Sequence, residues 1–322
     1  MKKTMIIGTI ISAIFVYLSV KNVDFRQIVN SFKNADIKFV IITLLILLLL
    51  QFLKSYRWGV ILSPLEKINQ LTLFSVTSVG FFMVLAIPSR VGEFAKPFLI
   101  SRKSDIRLTS AIASIFVERV LDSIALLLMF ILVLSNIELP KWLVNTGVIF
   151  FTIVLSILVC MIFLALNRTY ASIFMDFFLK WFPEKISDII KSLFDHFVDG
   201  FKMLANIKLI FFVSLLSLII WVIEAFCAYS MFYVLNFKLP LIAGFALIVI
   251  LALGLVVPTA PGFVGNWHLF CVVALALFNI SKTDGMTFAI LFHFLYVGIT
   301  VFLGLIFLPS NKFSFSDLRN GL

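Results

Sequence analysis

Three stretches of the chain, Ile37–Leu53, Trp142–Leu166 and Ile207–Leu235, are apolar almost without interruption. Each approaches or exceeds the roughly 20 residues with which an α-helix crosses the hydrocarbon core of a bilayer. In such a core every backbone N–H and C=O has to be satisfied within the chain, so runs of this length cross as helices. The rest of the sequence agrees. Hydrophobic residues make up 62% and charged residues only 13%, about half the charged share of a soluble domain. A water-soluble fold of this length could not hide so much apolar surface, and no hydrophilic block leaves room for a soluble enzyme domain. The 26 Lys and Arg against 16 Asp and Glu give a net charge of +10. In a soluble chain that excess suggests nucleic acid; here it reads as membrane topology, and no nucleic-acid partner is expected. Cys160, Cys227 and Cys271 lie in apolar segments with no metal-like spacing, and read as packing residues.

Ordinary spans are expected at residues 4–20, 37–53, 108–135, 142–166, 208–235 and 285–308. The first follows Lys2 and Lys3, lacks a small-x-small cleavage site and reads as an anchor rather than a signal peptide. Two further apolar regions are broken at their centres. Residues 71–100 are split at Pro88-Ser-Arg-Val-Gly-Glu93, and residues 240–279 at Pro258-Thr-Ala-Pro-Gly-Phe-Val-Gly265. Proline and glycine end helices, and non-helical backbone at membrane depth survives only inside protein or against a wet cavity. If both regions are re-entrant and the amino terminus is cytoplasmic, sixteen basic residues fall inside and seven outside. Drawing 71–88 as a full span instead would put Arg102, Lys103 and Arg107 outside, against the positive-inside rule.

The two breaks also resemble each other. Pro88-Ser-Arg-Val-Gly-Glu93 and Pro261-Gly-Phe-Val-Gly-Asn266 share Pro-x-x-Val-Gly and a polar residue at an offset of 173; the spans at 37 and 208, and at 108 and 285, are offset by 171 and 177. The expected fold class is therefore an all-α polytopic membrane protein with about six full transmembrane helices plus two re-entrant helical hairpins in an inverted repeat. The halves are residues 1–135 and 136–322 of one transmembrane domain, with both termini cytoplasmic; eight or more full spans is the alternative count. Between residues 184 and 205, Ile186, Ile189, Ile190, Leu193, Phe194, Phe197, Val198 and Phe201 share a helical face opposite Lys185, Asp188, Lys191, Asp195 and Asp199. This segment reads as an amphipathic helix lying on the cytoplasmic surface.

Charges within apolar spans are the informative residues, because each costs about 2.5–3.5 kcal/mol at a helix centre on insertion scales. Glu118 and Asp122 are i,i+4 on one helix, with Arg119 beside them. They read either as an ion pair locking helices or as a charge relay or headgroup site. Arg90, Glu93 and Lys96 surround the first break, where Arg90 and Lys96 could meet a phosphate and a half-helix beginning at Glu93 would add a favourable dipole. Arg90, between Pro88 and Gly92, is the expected main phosphate contact. Glu224 stands mid-span and requires a partner or a proton. Arg57 and Trp58, following the second span, read as interfacial anchors. Asn266 and His268 follow the second break and join Arg90, Glu93, Lys96, Glu118, Arg119 and Asp122 as candidate substrate-binding residues, whereas His293 reads as a packing residue. No metal-ligand cluster, P-loop, GxSxG or dinucleotide fingerprint occurs, so no cofactor is expected.

Three motifs taken together resemble the lysylphosphatidylglycerol synthase transmembrane-region family: Pro-Ser-Arg-Val-Gly-Glu93, Glu118-Arg119-x-x-Asp122, and Pro-Thr-Ala-Pro-Gly-Phe-Val-Gly265. The resemblance runs along essentially the whole chain. It implies a lipid-translocating scaffold without the soluble aminoacyltransferase of the bifunctional members, and points to Arg90, Glu93, Glu118, Arg119 and Asp122. In the family the second motif often continues to an acid, where this chain has His268 nearby. The expected function is translocation of an anionic or aminoacylated lipid, or of a polyprenyl-phosphate carrier, in the cell membrane. Arg90, Lys96 and Arg119 would hold phosphate. The alternatives are a membrane-embedded enzyme of lipid-linked sugar metabolism, or a non-catalytic scaffold with a glycosyltransferase or lipid-synthase partner.

In a background without native cysteines, single cysteines at Ser104 and Lys282 should label from the cytoplasmic and the outer side respectively. Labelling from one side would remove the inverted-repeat topology.

Overall fold

The helices begin where the sequence supplies caps. Asp24, Asp36, Asn69, Asn206 and Ser281 each accept a backbone N–H of the turn that follows, which satisfies otherwise orphaned donors. In the computed structural model, which describes residues 2–87, 92–166, 181, 191, 206–257 and 260–311, the order is all helical. The helices are α1 (Lys2–Val20), α2 (Phe25–Lys33), α3 (Ile37–Leu62), α4 (Gln70–Ala86), α5 (Ala95–Ser101), α6 (Leu108–Leu134), α7 (Lys141–Leu166), α8 (Ile207–Val234), α9 (Leu241–Gly254), α10 (Asn266–Ala276) and α11 (Lys282–Phe307). The expected amphipathic helix near 184–205 and the tip residue Arg90 lie outside the described residues.

Among the described residues four helices, α3, α7, α8 and α11, are long and apolar enough to cross a membrane. Helix α6 is as long, with 27 residues, but carries Glu118, Arg119 and Asp122 near its middle. The burial pattern is inverted relative to a soluble protein. Ile149, Phe211, Phe294 and Phe302 are exposed, while Gln51, Arg57, Ser78, Glu118, Asp122, Ser217 and Glu224 are buried. Apolar surface facing outward and polar groups facing the bundle interior is the arrangement that a lipid solvent demands. The chain is an all-α membrane protein.

Helices α3 and α8 cross at the centre and share the largest interface. Both broken regions are helix–break–helix units whose arms touch: α4 packs on α5, and α9 on α10. The residue before Pro88, Ile87, is extended, as sterics before proline require. At the second break Pro261–Phe263 form a 3₁₀ turn, and Asn266 Nδ2 donates to the carbonyls of Gly254 (2.9 Å) and Val257 (3.1 Å), tying the arms together. Helix α1 docks on this turn. Ser12 Oγ donates to the Val264 carbonyl, and a Cβ on Gly265, whose φ is +88°, would lie 2.6 Å from the Ser12 carbonyl oxygen.

Two sequence expectations change. The second span does not end at residue 53. The apolar pattern resumes after Arg57, and α3 continues to Leu62 before Ser63 and Pro64. Lys54 and Arg57 are thus inside the bundle rather than in a cytoplasmic loop, and fourteen rather than sixteen basic residues remain for the inner side. Arg57 and Trp58 are not interfacial anchors, being 1% and 0% exposed. The loop after α1 also contains α2, which buries Ile28, leaves Phe25 and Val29 exposed, and ties to the start of α11 through Gln27 and Asp284 (2.9 Å).

Gly265→Ala should lower the melting temperature, at a cost on the order of 1–3 kcal/mol from left-handed backbone and crowding. Gly298→Ala, whose added Cβ meets nothing within 4 Å, should be neutral or stabilising by up to about 1 kcal/mol. Melting curves of both variants in detergent test the pair.

Candidate functional site

Helix α3 places Gln51, Lys54, Arg57 and Trp58 one turn apart on its inner face. Arg57 reaches α6, where its two terminal nitrogens engage both acids. Nη2 donates to Glu118 Oε1 (2.9 Å) and Asp122 Oδ2 (3.2 Å), while Nη1 donates to Asp122 Oδ1 and to Ser217 Oγ of α8 (2.9 Å). The other oxygen of Glu118 accepts from Lys96 Nζ at 2.7 Å. That ammonium also lies 4.4 Å from the centre of the Trp58 ring, a cation–π contact. Gly80 of α4 makes space for it, since a Cβ there would be 2.9 Å from Lys96 Cγ. From α8, Trp221 Nε1 donates to Asp122 Oδ1 (2.9 Å). One network therefore joins α3, α5, α6 and α8.

A second pair stands one turn earlier on α3. Lys54 Nζ donates to Glu224 Oε1 at 2.5 Å and approaches Tyr296 Oη of α11 at 3.5 Å. Glu224 thus has the partner that its mid-span position requires. Arg119 is placed differently from the other bases. Its contacts to Glu118 and Asp122 are long, 3.5 and 3.7 Å, and 46% of its side chain is exposed.

These groups surround a cavity of about 480 Å³. Lys54, Arg57 and Arg119 line it with Glu93, Glu118, Asp122 and Glu224; the rest of the lining is mostly apolar, from α3, α4, α6, α7, α8, α9 and α11, with Trp267 at the second hairpin and a few uncharged polar groups such as Gln51 and Tyr296. The cavity is bounded by both broken regions, since Glu93 and Phe263 come from their turns. Breaking a buried ion pair by removing one partner costs about 3–5 kcal/mol, yet well-packed apolar residues often join helices equally well. Stability alone does not account for so many charges.

Of the residues selected from sequence, Glu93, Glu118, Arg119 and Asp122 line this cavity. Lys96 joins the same network without lining it, 4% exposed and enclosed by Glu118 and Trp58. Asn266 serves the second hairpin as described, and the His268 ring lies 4.9 Å from that of His293, tilted against it, while His293 Nε2 donates to the Gly262 carbonyl (2.7 Å). Neither Asn266 nor His268 lines the cavity. The turn Gly92–Phe94 precedes α5, which is only seven residues long, so a half-helix dipole at Glu93 has little to build on. The sequence reading missed Lys54, Arg57, Trp221 and Tyr296. The signal for the first two was the apolar run Trp58–Leu62 beyond them, which marks Arg57 as mid-helix.

The bundle and its charged internal cavity define an all-α membrane protein with a polar site enclosed between spans. The family described as "Lysylphosphatidylglycerol synthase TM region" matches residues 5–304, and the chain belongs to it. That membership places it among membrane proteins of lipid metabolism or transport. No curated protein and no solved structure matches the chain significantly.

The sequence pairs Glu118 with Arg119, but the geometry gives its close contacts to Arg57 and Lys96. Glu118→Ala should therefore strand two buried cations and destabilise by about 3–5 kcal/mol. Adding Lys96→Met should recover part of that loss, because the two changes share one contact. Arg119→Gln should barely move the melting temperature. A melting curve that falls as far for Arg119→Gln as for Glu118→Ala would refute this assignment of partners.

Proposed function

We propose that the protein translocates a phosphate-bearing membrane lipid across the cell membrane, with the headgroup passing through the central cavity while hydrocarbon stays outside. The observation that carries this reading is the cavity itself. It offers charged groups of both signs inside a bundle whose outer surface is apolar. A headgroup taken from water loses its hydration and requires a fixed partner in exchange, which Arg119 supplies. Among the described residues the basic and acidic groups at the cavity balance, Lys54, Arg57, Lys96 and Arg119 against Glu93, Glu118, Asp122 and Glu224. Such a lining suits a headgroup with one net negative charge or with both signs, an aminoacylated lipid included, better than a multiply charged anion.

The contact pattern supports the inverted repeat as the mechanical basis. Equating α3 with α8, α4 with α9, α5 with α10 and α6 with α11 turns each packed pair of the first half into a packed pair of the second: α3–α4 into α8–α9, α4–α5 into α9–α10, α5–α6 into α10–α11. The cross-contact α4–α11 likewise maps onto α9–α6. Two inverted halves rocking about α3 and α8 would open the cavity alternately to each leaflet. In this topology both termini face the cytoplasm.

Purified protein in liposomes should move labelled phospholipid between leaflets. Arg119→Gln should reduce that flux about tenfold or more, the loss expected for one charge-assisted contact, with an unchanged melting curve. Arg119→Lys should fall between. For the tip residue Arg90, Lys should work less well than Arg if the contact to phosphate is bidentate. A new lipid product instead of movement would favour an enzyme, and neither result would favour a scaffold.

A further inference from the structure

A second cavity, of about 230 Å³, lies between α5 and α6. Phe94 and Pro97 form one side; Ile112, Ile115 and Phe116 of α6 form the other. Glu93 and Arg119 complete it, and these two also line the central cavity. Ile112, Ile115, Phe116 and Arg119 follow helical spacing i, i+3, i+4, i+7, so they make one stripe about 10 Å long. The stripe runs from apolar side chains to charge. Phe94 and Phe116 are 41% and 46% exposed, so the groove is open on the outside of the bundle, where lipid lies.

An apolar groove whose charged wall is shared with a headgroup cavity matches an amphiphile. The long contacts of Arg119 within the protein exceed good hydrogen-bond lengths, and its guanidinium fork suits a phosphate. Net charge narrows the choice further. A phosphomonoester carries about −1.5 to −2 at neutral pH. Glu118 and Asp122 are already held by Arg57 and Lys96, and among the described residues Arg119 is the arginine of this junction left with long contacts. A phosphodiester carries one negative charge and matches Arg119 one to one. We propose that the α5–α6 groove is the acyl-chain subsite of a diacyl phospholipid whose phosphodiester rests on Arg119 at the junction of the two cavities. The proposal rests on the lipid-translocation reading and adds where the chain lies and which cation holds the phosphate.

The test places a photoreactive group in the groove by Phe116→p-benzoylphenylalanine, with Leu128→p-benzoylphenylalanine as control. Leu128 is exposed on the same helix and lines neither cavity. The protein is reconstituted in vesicles of equal parts phosphatidylglycerol and digalactosyldiacylglycerol with the same acyl chains, so that only one lipid carries phosphate. The probe at position 116 should label phosphatidylglycerol about tenfold over the glycolipid, as one charge-assisted contact would give. The probe at 128 should label both alike. Arg119→Gln should abolish the preference, and Ile115→Trp should fill the groove and reduce labelling at 116 but not at 128. Labelling without preference at position 116 overturns the subsite, and displacement of phosphatidylglycerol by a trace of polyprenyl phosphate overturns its diacyl occupant. If Ile115→Trp does not fold, Arg119→Gln carries the test. Absence of lipid flux in the wild type is read in a separate assay, and it sinks the transport reading without deciding where phosphatidylglycerol binds.

Discussion

Glu118 has each carboxylate oxygen held by a cation from a different helix, Arg57 of α3 and Lys96 of α5, and it is fully buried. Remove that carboxylate and two positive charges remain in a low-dielectric interior, which is why the arrangement of α3, α5 and α6 depends on it. Lys96 reaches Glu118 only because the chain turns back after α4, so the hairpin break and the ion network hold each other in place. Gly80 gives that lysine room. Asp122 extends the same constraint to α8 through Trp221 and Ser217 by way of Arg57.

The contrast between Arg119 and its neighbours separates structure from function within one motif. Glu118, Arg119 and Asp122 are adjacent in sequence, yet a helix turns neighbours by about 100°, so residues 118 and 122 face inward together while 119 lies to the side. The inward pair is saturated by the protein. The sideways arginine has long contacts to these two acids and lines both cavities. Among the described charges of this network Arg119 is the one least used by the fold, which is why the proposed headgroup contact rests on it.

Lys54 and Glu224 show how a costly residue is made tolerable. Each lies within an apolar helix, and together they form a neutral pair at the α3–α8 crossing beside Tyr296. Pairing across the two central helices also fixes their register, because sliding either by a turn would separate the charges.

Much of this protein was legible in its sequence. Apolar run lengths gave helices α3, α7, α8 and α11, the Pro-Gly breaks gave the two divided regions, and the motif set gave the family. Lipid exposure makes these signals strong, since hydrocarbon forbids unsatisfied backbone and leaves helices as the answer. Glu93, Glu118, Arg119 and Asp122 could be selected because charge in an apolar run is expensive and therefore conspicuous. Arg57 and Lys54 were not, because a charge near the end of an apolar run looks like an anchor until the helix is seen to continue. Pairing is decided only in three dimensions. Sequence adjacency offered Arg119 to Glu118, but Arg57 and Lys96, 61 and 22 residues away, supply its close contacts. Coulomb attraction depends on distance through space, and only the packed bundle sets those distances.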